Sequence, residues 1–158
     1  MQNSILLVFK NNIIITGAVA WICSQAAKTI IYLIINKSFV PERLIGDGGM
    51  PSSHSATVSA VAVAAGIECG FDSPVFALAL FLALIVMHDA MGVRLETGKQ
   101  AKVINNMIEM FQTVGAGDLT PEEALKEFVG HTPLQVFAGC GLGIVAAILM
   151  QYFVFQEL

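Results

Sequence analysis

The sequence contains little charge for a chain of its length. Only 13% of its 158 residues are charged, whereas 56% are hydrophobic and the mean hydropathy is +0.74. Ordinary soluble domains carry about 25% charged residues. The composition therefore excludes an ordinary soluble domain, and the length predicts a single integral-membrane domain, residues 1–158.

Cysteines and clustered acidic residues are also scarce. Cys23, Cys69 and Cys140 occur at unrelated spacings, which give neither a disulfide framework nor a metal-ligand pattern, and we expect them to be small core residues. No cluster of Asp and Glu predicts a divalent-metal site. Residues 1–12 lack the basic region and the cleavage site of a signal peptide, so we expect no removable leader.

Long apolar stretches, in contrast, are abundant. Ile13–Ile35 and Pro133–Phe155 can each cross a hydrocarbon core of about 30 Å at about 1.5 Å per residue. Ser55–Ile67 and Pro74–Met87 are shorter, and each is either a further span or a re-entrant or core helix. The sequence therefore predicts an all-α polytopic membrane bundle with about four transmembrane helices.

The long loop at 92–132 predicts additional short helices at the membrane interface. Apolar residues recur at helical spacing across 104–111, with polar residues opposite. The sequence GAGD at 115–118 breaks this helix. A capping box then predicts a second short helix at 120–129. A second capping box, at 132–135, begins the last span.

Basic residues outside the spans are unevenly distributed. Six lie in the segments that follow the first and third spans, and one lies on the opposite side. Because Lys and Arg in short loops favour the cytoplasm, we expect both termini outside and the segment 48–56 inside. The six basic residues on the predicted inner side are Lys37, Arg43, Arg94, Lys99, Lys102 and Lys126, and the basic residue on the opposite side is Lys10.

The segment GGMPSSHSA (48–56) and the start of the last span share a feature. His54 falls in the first turn of one helix, and His131 immediately precedes the cap of another. Helix N-termini carry unpaired N–H groups and partial positive charge, so the two ends would suit a phosphate. Capping serines and histidines at a wet interface would produce the same pattern. Further donors near these ends are Ser52, Ser53, Lys28, Arg43 and Arg94.

Lys28 is a cation inside the first predicted span. A charge near the centre of a span costs about 2.5–3.5 kcal/mol on insertion scales, so a functional position facing the bundle is the default interpretation. The alternative is that the side chain extends to the cytoplasmic edge.

Three blocks resemble the signatures of the divergent branch of the type 2 phosphatidic acid phosphatase superfamily. They are GGMPSSHSA (48–56), DAMGVRLETGKQAKVIN (89–105) and GHTPLQVFAGCGLG (130–143). The resemblance covers nearly the whole chain from Lys28 onward. It implies metal-independent phosphatase chemistry without a cofactor.

The resemblance also implies a role for each matching residue. His131 would be the nucleophile that forms a phosphohistidine, and His54 the general acid that protonates the leaving alkoxide. Ser52, Ser53 and nearby backbone N–H groups would hold the phosphoryl oxygens, and Lys28 would correspond to the first-block lysine. These roles agree with the chemistry of imidazole near neutral pH.

The sequence departs from the superfamily pattern near the nucleophile. The expected preceding arginine is missing, and Arg94 or Lys126 would replace it, with Arg94 preferred. The carboxylate expected four residues after His131 is Gln135. Gln135 either accepts a hydrogen bond from the imidazole without supplying charge or serves only as a capping residue, and Glu127 could supply the charge instead.

Smaller features leave alternatives open. Ser53 replaces the glycine of the wider superfamily. Asp89 is expected either to pair with Arg94 or to orient a histidine, and His88 is read as an interfacial residue rather than a second catalyst. Glycine pairs at 66–70 and 139–143 permit close packing, within the chain or in a homodimer.

The expected activity is hydrolysis of a lipid phosphate monoester in the cytoplasmic leaflet of the cell membrane. Phosphatidylglycerol phosphate is favoured as substrate, followed by phosphatidic acid and isoprenyl phosphates, and no nucleic-acid partner is expected. Four spans are fewer than the six usual in the lipid phosphatases of the superfamily, so loop helices or a homodimer would complete the bundle. Two other functions are considered: a catalytically silent lipid-phosphate binder, and a haem protein with His54 and His131 as axial ligands.

Overall fold

The computed structural model of the protein describes residues 7–38, 49–113, 125 and 130–155. Several positions that the sequence singled out lie outside these ranges. They are Arg43, the break at 115–118 and the predicted helix at 120–129, which includes Lys126 and Glu127. Of that helix only Leu125 is described.

All regular structure in the described ranges is helical, without strands, so the predicted all-α fold is confirmed. The helices are α1 (Asn12–Asn36), α2 (Ser53–Cys69), α3 (Pro74–Met91), α4 (Val93–Thr113) and α5 (Pro133–Leu149), which continues as a π-helical turn, Met150–Val154.

Small polar side chains set the starts of these helices. Asn11 accepts hydrogen bonds from the N–H groups of Ile13 at 3.0 Å and Ile14 at 3.1 Å, where α1 begins. Ser73 accepts one from the N–H of Phe76 at 3.1 Å, where α3 begins. These caps satisfy donors that have no partner within the helix, so each apolar stretch starts at a defined residue.

Helix α2 forms the centre of the bundle and packs against α1, α3 and α5. Its inward positions are small, and Ala56, Ala60 and Ala64 are fully buried. Small side chains allow neighbouring helices to approach closely, so van der Waals contact between backbones stabilises the bundle. Most of the large apolar side chains point outward instead, as a lipid environment favours.

Three helical segments of the described chain are long and apolar enough to cross a membrane: Asn12–Asn36, Pro74–Phe111 and Pro133–Val154. The second runs through α3 and α4, which Gly92 separates. The remaining predicted span, Ser55–Ile67, lies in α2. The 17 residues of α2 extend about 26 Å, somewhat less than a hydrocarbon core of about 30 Å. Its enclosed position fits the core-helix alternative.

Helix α5 lies directly on the backbone of α2. A methyl group at Gly139 would overlap the carbonyl of Ser52, and one at Gly143 would overlap the carbonyl of Ala56. This glycine pair therefore serves packing within the chain, one of its two predicted uses.

The glycine pair at 66–70 acts at a turn. Gly66 faces the rings of Phe71 and Phe76, whose centroids lie 5.1 Å apart in an edge-to-face contact. Gly70 ends α2 with a φ of +94°, a value that side chains disfavour. The pair allows the chain to turn into α3 under the two rings.

The cysteines do not lie where the sequence placed them. Cys23 and Cys69 are exposed, Cys140 is half-buried, and all three thiols are free. The expectation of core cysteines is therefore wrong for the first two. Hydropathy alone could not distinguish these positions, because the outer surface of a membrane bundle is as apolar as its interior.

Helix α4 confirms the amphipathic helix expected across 104–111, and Ile104, Met107 and Phe111 are exposed along it. The side-chain amide of Asn105 donates to the carbonyl of Leu125 at 2.9 Å and accepts from its N–H at 3.1 Å. These bonds hold Leu125 against α4. The location of α4 at a membrane interface stays a prediction.

The two ends of the bundle are held by different contacts. At one end, where α2 and α5 begin, the N–H of Ser52 donates to the carbonyl of Gln135 at 3.0 Å. At the other end, the buried side chain of Gln151 donates to the carboxylate of Glu68 at 2.8 Å. The starts of α2 and α5, which lie next to His54 and His131, therefore meet at the first end.

The packing of α5 on α2 generates a stability prediction. Gly139→Ala and Gly143→Ala should each lower the free energy of unfolding by about 1–3 kcal/mol or more, because backbone cannot move aside as a side chain can. Gly141→Ala is the matched control, since nothing lies within 4 Å of a Cβ added there. Reversible unfolding in detergent micelles measures the three variants, and equal destabilisation by Gly141→Ala would contradict this packing.

The membrane orientation can be tested by labelling one residue at each end of the bundle. In a variant without native cysteines, Thr97→Cys should react with an impermeant maleimide only after the cells are permeabilised. Asp72→Cys, at the opposite end, should react in intact cells. Neither substitution removes a basic residue, so both preserve the distribution of Lys and Arg from which the orientation is predicted. The reverse labelling pattern would place this end of the bundle outside and contradict the predicted orientation.

Candidate active site

A cavity of about 180 Å³ lies at the end of the bundle where α2 begins and α3 ends. The first turn of α2, the last turns of α3, the start of α4 and the residue before the cap of α5 form its walls. The described residues that line it are His54, Ile85, Val86, Asp89, Ala90, Arg94 and His131. The structure thus brings together four residues that the sequence singled out: the two histidines, Asp89 and Arg94.

Backbone contacts fix the position of His131. Its N–H donates to the carbonyl of Ala90 at 3.1 Å, and its side chain is only 4% exposed. A methyl group at the preceding Gly130 would overlap the backbone of Leu95. Gly130 therefore lets the chain pass close to α4, a role that sequence analysis missed by reading this glycine only as a helix end.

The two histidines face each other across the cavity. The ring centroids of His54 and His131 are 6.3 Å apart, and the rings are inclined by 57°. A hydrogen bond between ring nitrogens requires a separation of about 3 Å, so these rings do not bond directly to each other. The gap leaves space for a small group that both imidazoles can contact.

Gln135 fixes the orientation of the His131 ring. Its side-chain oxygen accepts from the N–H of Thr132 at 3.0 Å and lies 3.3 Å from Nδ1 of His131. The bond from Thr132 sets which end of the amide faces the ring. Because an amide oxygen only accepts, a hydrogen bond between the two requires a proton on Nδ1 of His131, which in the neutral ring leaves the lone pair on Nε2. Gln135 also completes the capping box of α5, so both predicted roles are present.

Asp89 pairs with Arg94, which resolves one of the alternatives left open by the sequence. The Nε of Arg94 donates to the carboxylate of Asp89 at 2.7 Å, and their side chains are 51% and 41% exposed. An exposed pair of this kind contributes little to stability. It does orient the guanidinium, whose remaining donors match the oxygens of a phosphate.

Ser52 and Ser53 are buried but are not among the residues that line the cavity. The hydroxyl oxygen of Ser52 accepts from the N–H of Ser55 at 3.3 Å and from its hydroxyl at 3.0 Å. The carbonyl of Ser53 accepts from the hydroxyl of Thr57 at 2.8 Å. Both serines therefore hold the first turn of α2, which carries His54.

Lys28 is 3% exposed, so its side chain is buried in the bundle. It lines a second cavity, of about 250 Å³, together with Tyr32, Asn36, Gly49 and Met50. Its stem packs on Gly49, where an added Cβ would lie 3.2 Å from Cγ of Lys28. The structure does not include Lys28 among the residues that line the histidine cavity, and its predicted contact with phosphate stays a prediction.

The size of the histidine cavity bears on the haem alternative. Pockets for drug-sized ligands occupy about 300–1,000 Å³, whereas this cavity measures about 180 Å³. A porphyrin would not fit between His54 and His131 without separating α2 from α5. The volume suits a phosphate group with a few neighbouring atoms.

The fold and the cavity define a class: a helical membrane protein with two histidines and an arginine where two helix N-termini converge. The model of the Divergent PAP2 family matches residues 9–146, and the chain belongs to that family. It is 35% identical over 148 residues to the Bacillus subtilis (strain 168) protein named "Uncharacterized membrane protein YuiD", covering 89% of this chain and 94% of the relative. No solved structure matches the chain.

These comparisons confirm the family that the three sequence blocks indicated, and they agree with the membrane spans. The matched range includes both histidines, Asp89, Arg94 and Gln135.

Proposed function

We propose that the protein hydrolyses a lipid phosphate monoester through a phosphohistidine intermediate. The observation that carries the proposal is the pair of imidazoles, His54 and His131, which face each other across one cavity that Arg94 also lines. Membership of the Divergent PAP2 family supports a phosphatase-related role.

In the first step, Nε2 of His131 attacks the phosphorus atom. The N–P bond forms as the P–O bond to the lipid breaks, and His54 in its protonated form donates a proton to the leaving alkoxide. Arg94 and the N-termini of α2 and α5 stabilise the charge that develops on the phosphoryl oxygens. The lipid alcohol leaves, and the phosphoryl group stays on His131.

In the second step, water replaces the lipid oxygen. His54 is now neutral and accepts a proton from the attacking water, while the N–P bond breaks. Inorganic phosphate is released, His131 regains its lone pair and His54 its proton. The exchange of the proton between the two steps requires His54 to stand on the side of the phosphorus opposite His131.

Gln135 provides orientation without charge. Its oxygen keeps the proton on Nδ1 of His131, so Nε2 faces the reaction as a nucleophile. A carboxylate at this position would also stabilise the positive charge that the ring acquires in the transition state. We therefore expect a slower enzyme than relatives that carry an acid here.

The substrate class follows from the membrane location of the site. Phosphatidylglycerol phosphate is the favoured substrate, with phosphatidic acid and isoprenyl phosphates after it. The basic residues that flank the site support a position on the cytoplasmic side of the cell membrane, where such lipids are made. No resident metal or cofactor is part of the proposed mechanism.

The absence of charge at Gln135 also favours a second candidate function. A silent lipid-phosphate binder would retain the arginine, the helix N-termini and the cavity, and would bind phosphate without turning it over. Phosphate release from a panel of purified lipid phosphates distinguishes the two functions directly.

The mechanism predicts different effects for the two histidines. His131→Ala should abolish hydrolysis of both lipid phosphates and p-nitrophenyl phosphate, because no nucleophile remains. His54→Ala should abolish lipid hydrolysis but still react once with p-nitrophenyl phosphate, whose leaving group departs without a proton. Radiolabelled phosphate should then accumulate on His54→Ala, because the base that activates water is missing, and acid-free quenching preserves the label.

The control for this experiment is the double variant His54→Ala/His131→Ala, which should carry no label. Alkali-stable, acid-labile label identifies a phosphohistidine. Label that persists in His131→Ala would contradict the assignment of the nucleophile.

Gln135 supplies the next prediction. Gln135→Glu should preserve folding, since Glu serves equally in a capping box, and should raise the rate by about tenfold to a hundredfold. The gain corresponds to about 1–3 kcal/mol of stabilisation of the charged imidazole in the transition state. The full pH–rate profile of the variant and its parent is the measurement.

Gln135→Leu is the matched control, because it removes the acceptor from both Thr132 and His131. It should lower the rate and destabilise the start of α5. If Gln135→Glu instead shifts the optimum to higher pH with lower activity at neutral pH, the site requires a neutral imidazole, and the expected gain is wrong.

A further inference from the structure

The wall of the histidine cavity has a polar part and an apolar part. The histidines, Asp89 and Arg94 provide the polar part, while Ile85, Val86 and Ala90 of α3 provide the apolar one. Ile85 precedes Asp89 by one helical turn, or about 6 Å along the axis at 1.5 Å per residue. The cavity therefore becomes apolar in the direction of the bilayer.

Ile85 also belongs to the outer surface of the bundle. Its side chain is 65% exposed although it lines the cavity. Leu78, Phe81 and Leu82 are exposed on the same helix, so this surface of α3 is continuously apolar. Since α3 lies in a segment long and apolar enough to cross a membrane, such a surface contacts acyl chains.

The cavity thus reaches two different environments. On the water side it is bounded by the exposed pair Asp89 and Arg94. On the lipid side it is bounded by Ile85, which contacts both the cavity and the outer surface of α3. The charged pair favours the passage of a small polar molecule, and Ile85 favours the passage of an apolar chain.

From this arrangement we infer that Ile85 is a specificity-determining residue at a lateral opening, where the apolar part of a phosphorylated lipid passes from the bilayer into the cavity. The inference rests on the proposed function and deepens it. The phosphate lies between the two histidines, the first atoms of the lipid lie against Val86 and Ala90, and the chain leaves the cavity beside Ile85. Inorganic phosphate departs past Arg94 to water.

A phosphate monoester can reach the cavity from the bilayer or from water. A bulky side chain at the opening distinguishes the two routes, because it obstructs only the route from the bilayer. Ile85→Trp should lower kcat/KM for a lipid phosphate in vesicles by about tenfold or more but change that for p-nitrophenyl phosphate by less than about twofold. Leu78→Trp is the matched control, because Leu78 is 74% exposed on the same helix and does not line the cavity. It should leave both values unchanged.

Parallel loss of both activities in Ile85→Trp would overturn the inference, because it would indicate a general distortion of the site. Unchanged lipid hydrolysis would overturn it as well. If the parent protein hydrolyses neither substrate, the proposed function fails, and the opening is then tested by capture of lipid.

For that test, p-benzoylphenylalanine is introduced at position 85 and, as control, at position 78. Photolysis in vesicles should cross-link a lipid phosphate at position 85 in preference to the same lipid without its phosphate, whereas position 78 should capture both equally. Equal capture of the two lipids at position 85 would overturn the inference even for a silent binder.

Discussion

The contact on which the rest of the site depends is the close approach of α5 to the backbone of α2. The glycines at 139–143 allow this approach, and the bond from the N–H of Ser52 to the carbonyl of Gln135 fixes its register. His54 lies two residues after Ser52, and His131 lies four residues before Gln135. The same contact therefore sets the distance between the imidazoles, and packing and chemistry cannot vary independently at this end of the bundle.

A single side chain, Gln135, joins the start of α5 to the orientation of the imidazole. Sequence analysis treated capping and catalysis as alternatives, but one amide oxygen accepts from Thr132 and faces His131 at the same time. The capping bond makes the amide orientation unambiguous, and the amide orientation then determines the tautomer of the ring. A carboxylate would keep both acceptor functions, so net charge is the one property that this position has lost relative to the superfamily pattern.

The sequence predicted the all-α class, the capping box of α5 and the pairing of the two histidines at one site, because hydropathy, capping boxes and motif order are local signals. It did not predict that Cys23 faces outward, that Lys28 lines a separate cavity, or that Gly130 places His131 against α4. In a membrane bundle both the interior and the lipid-facing surface are apolar, so periodicity shows that residues share a face without showing what that face contacts. The partner of Asp89 was likewise undetermined, since Arg94 and a histidine were both within plausible reach in sequence.

The position of the cavity at the end of the bundle follows from what the proposed reaction must separate. Its substrate is one molecule with an apolar and a charged part, whereas its products prefer different solvents: the lipid alcohol stays in the bilayer and phosphate enters water. A site at the bilayer centre would have to carry a free phosphate through hydrocarbon at a prohibitive cost in desolvation. A site fully in water would have to extract the whole lipid. Placing the imidazoles between the exposed side chains of Ile85 and Arg94 avoids both costs, because only the phosphate and the first atoms of the lipid need to lie inside the protein.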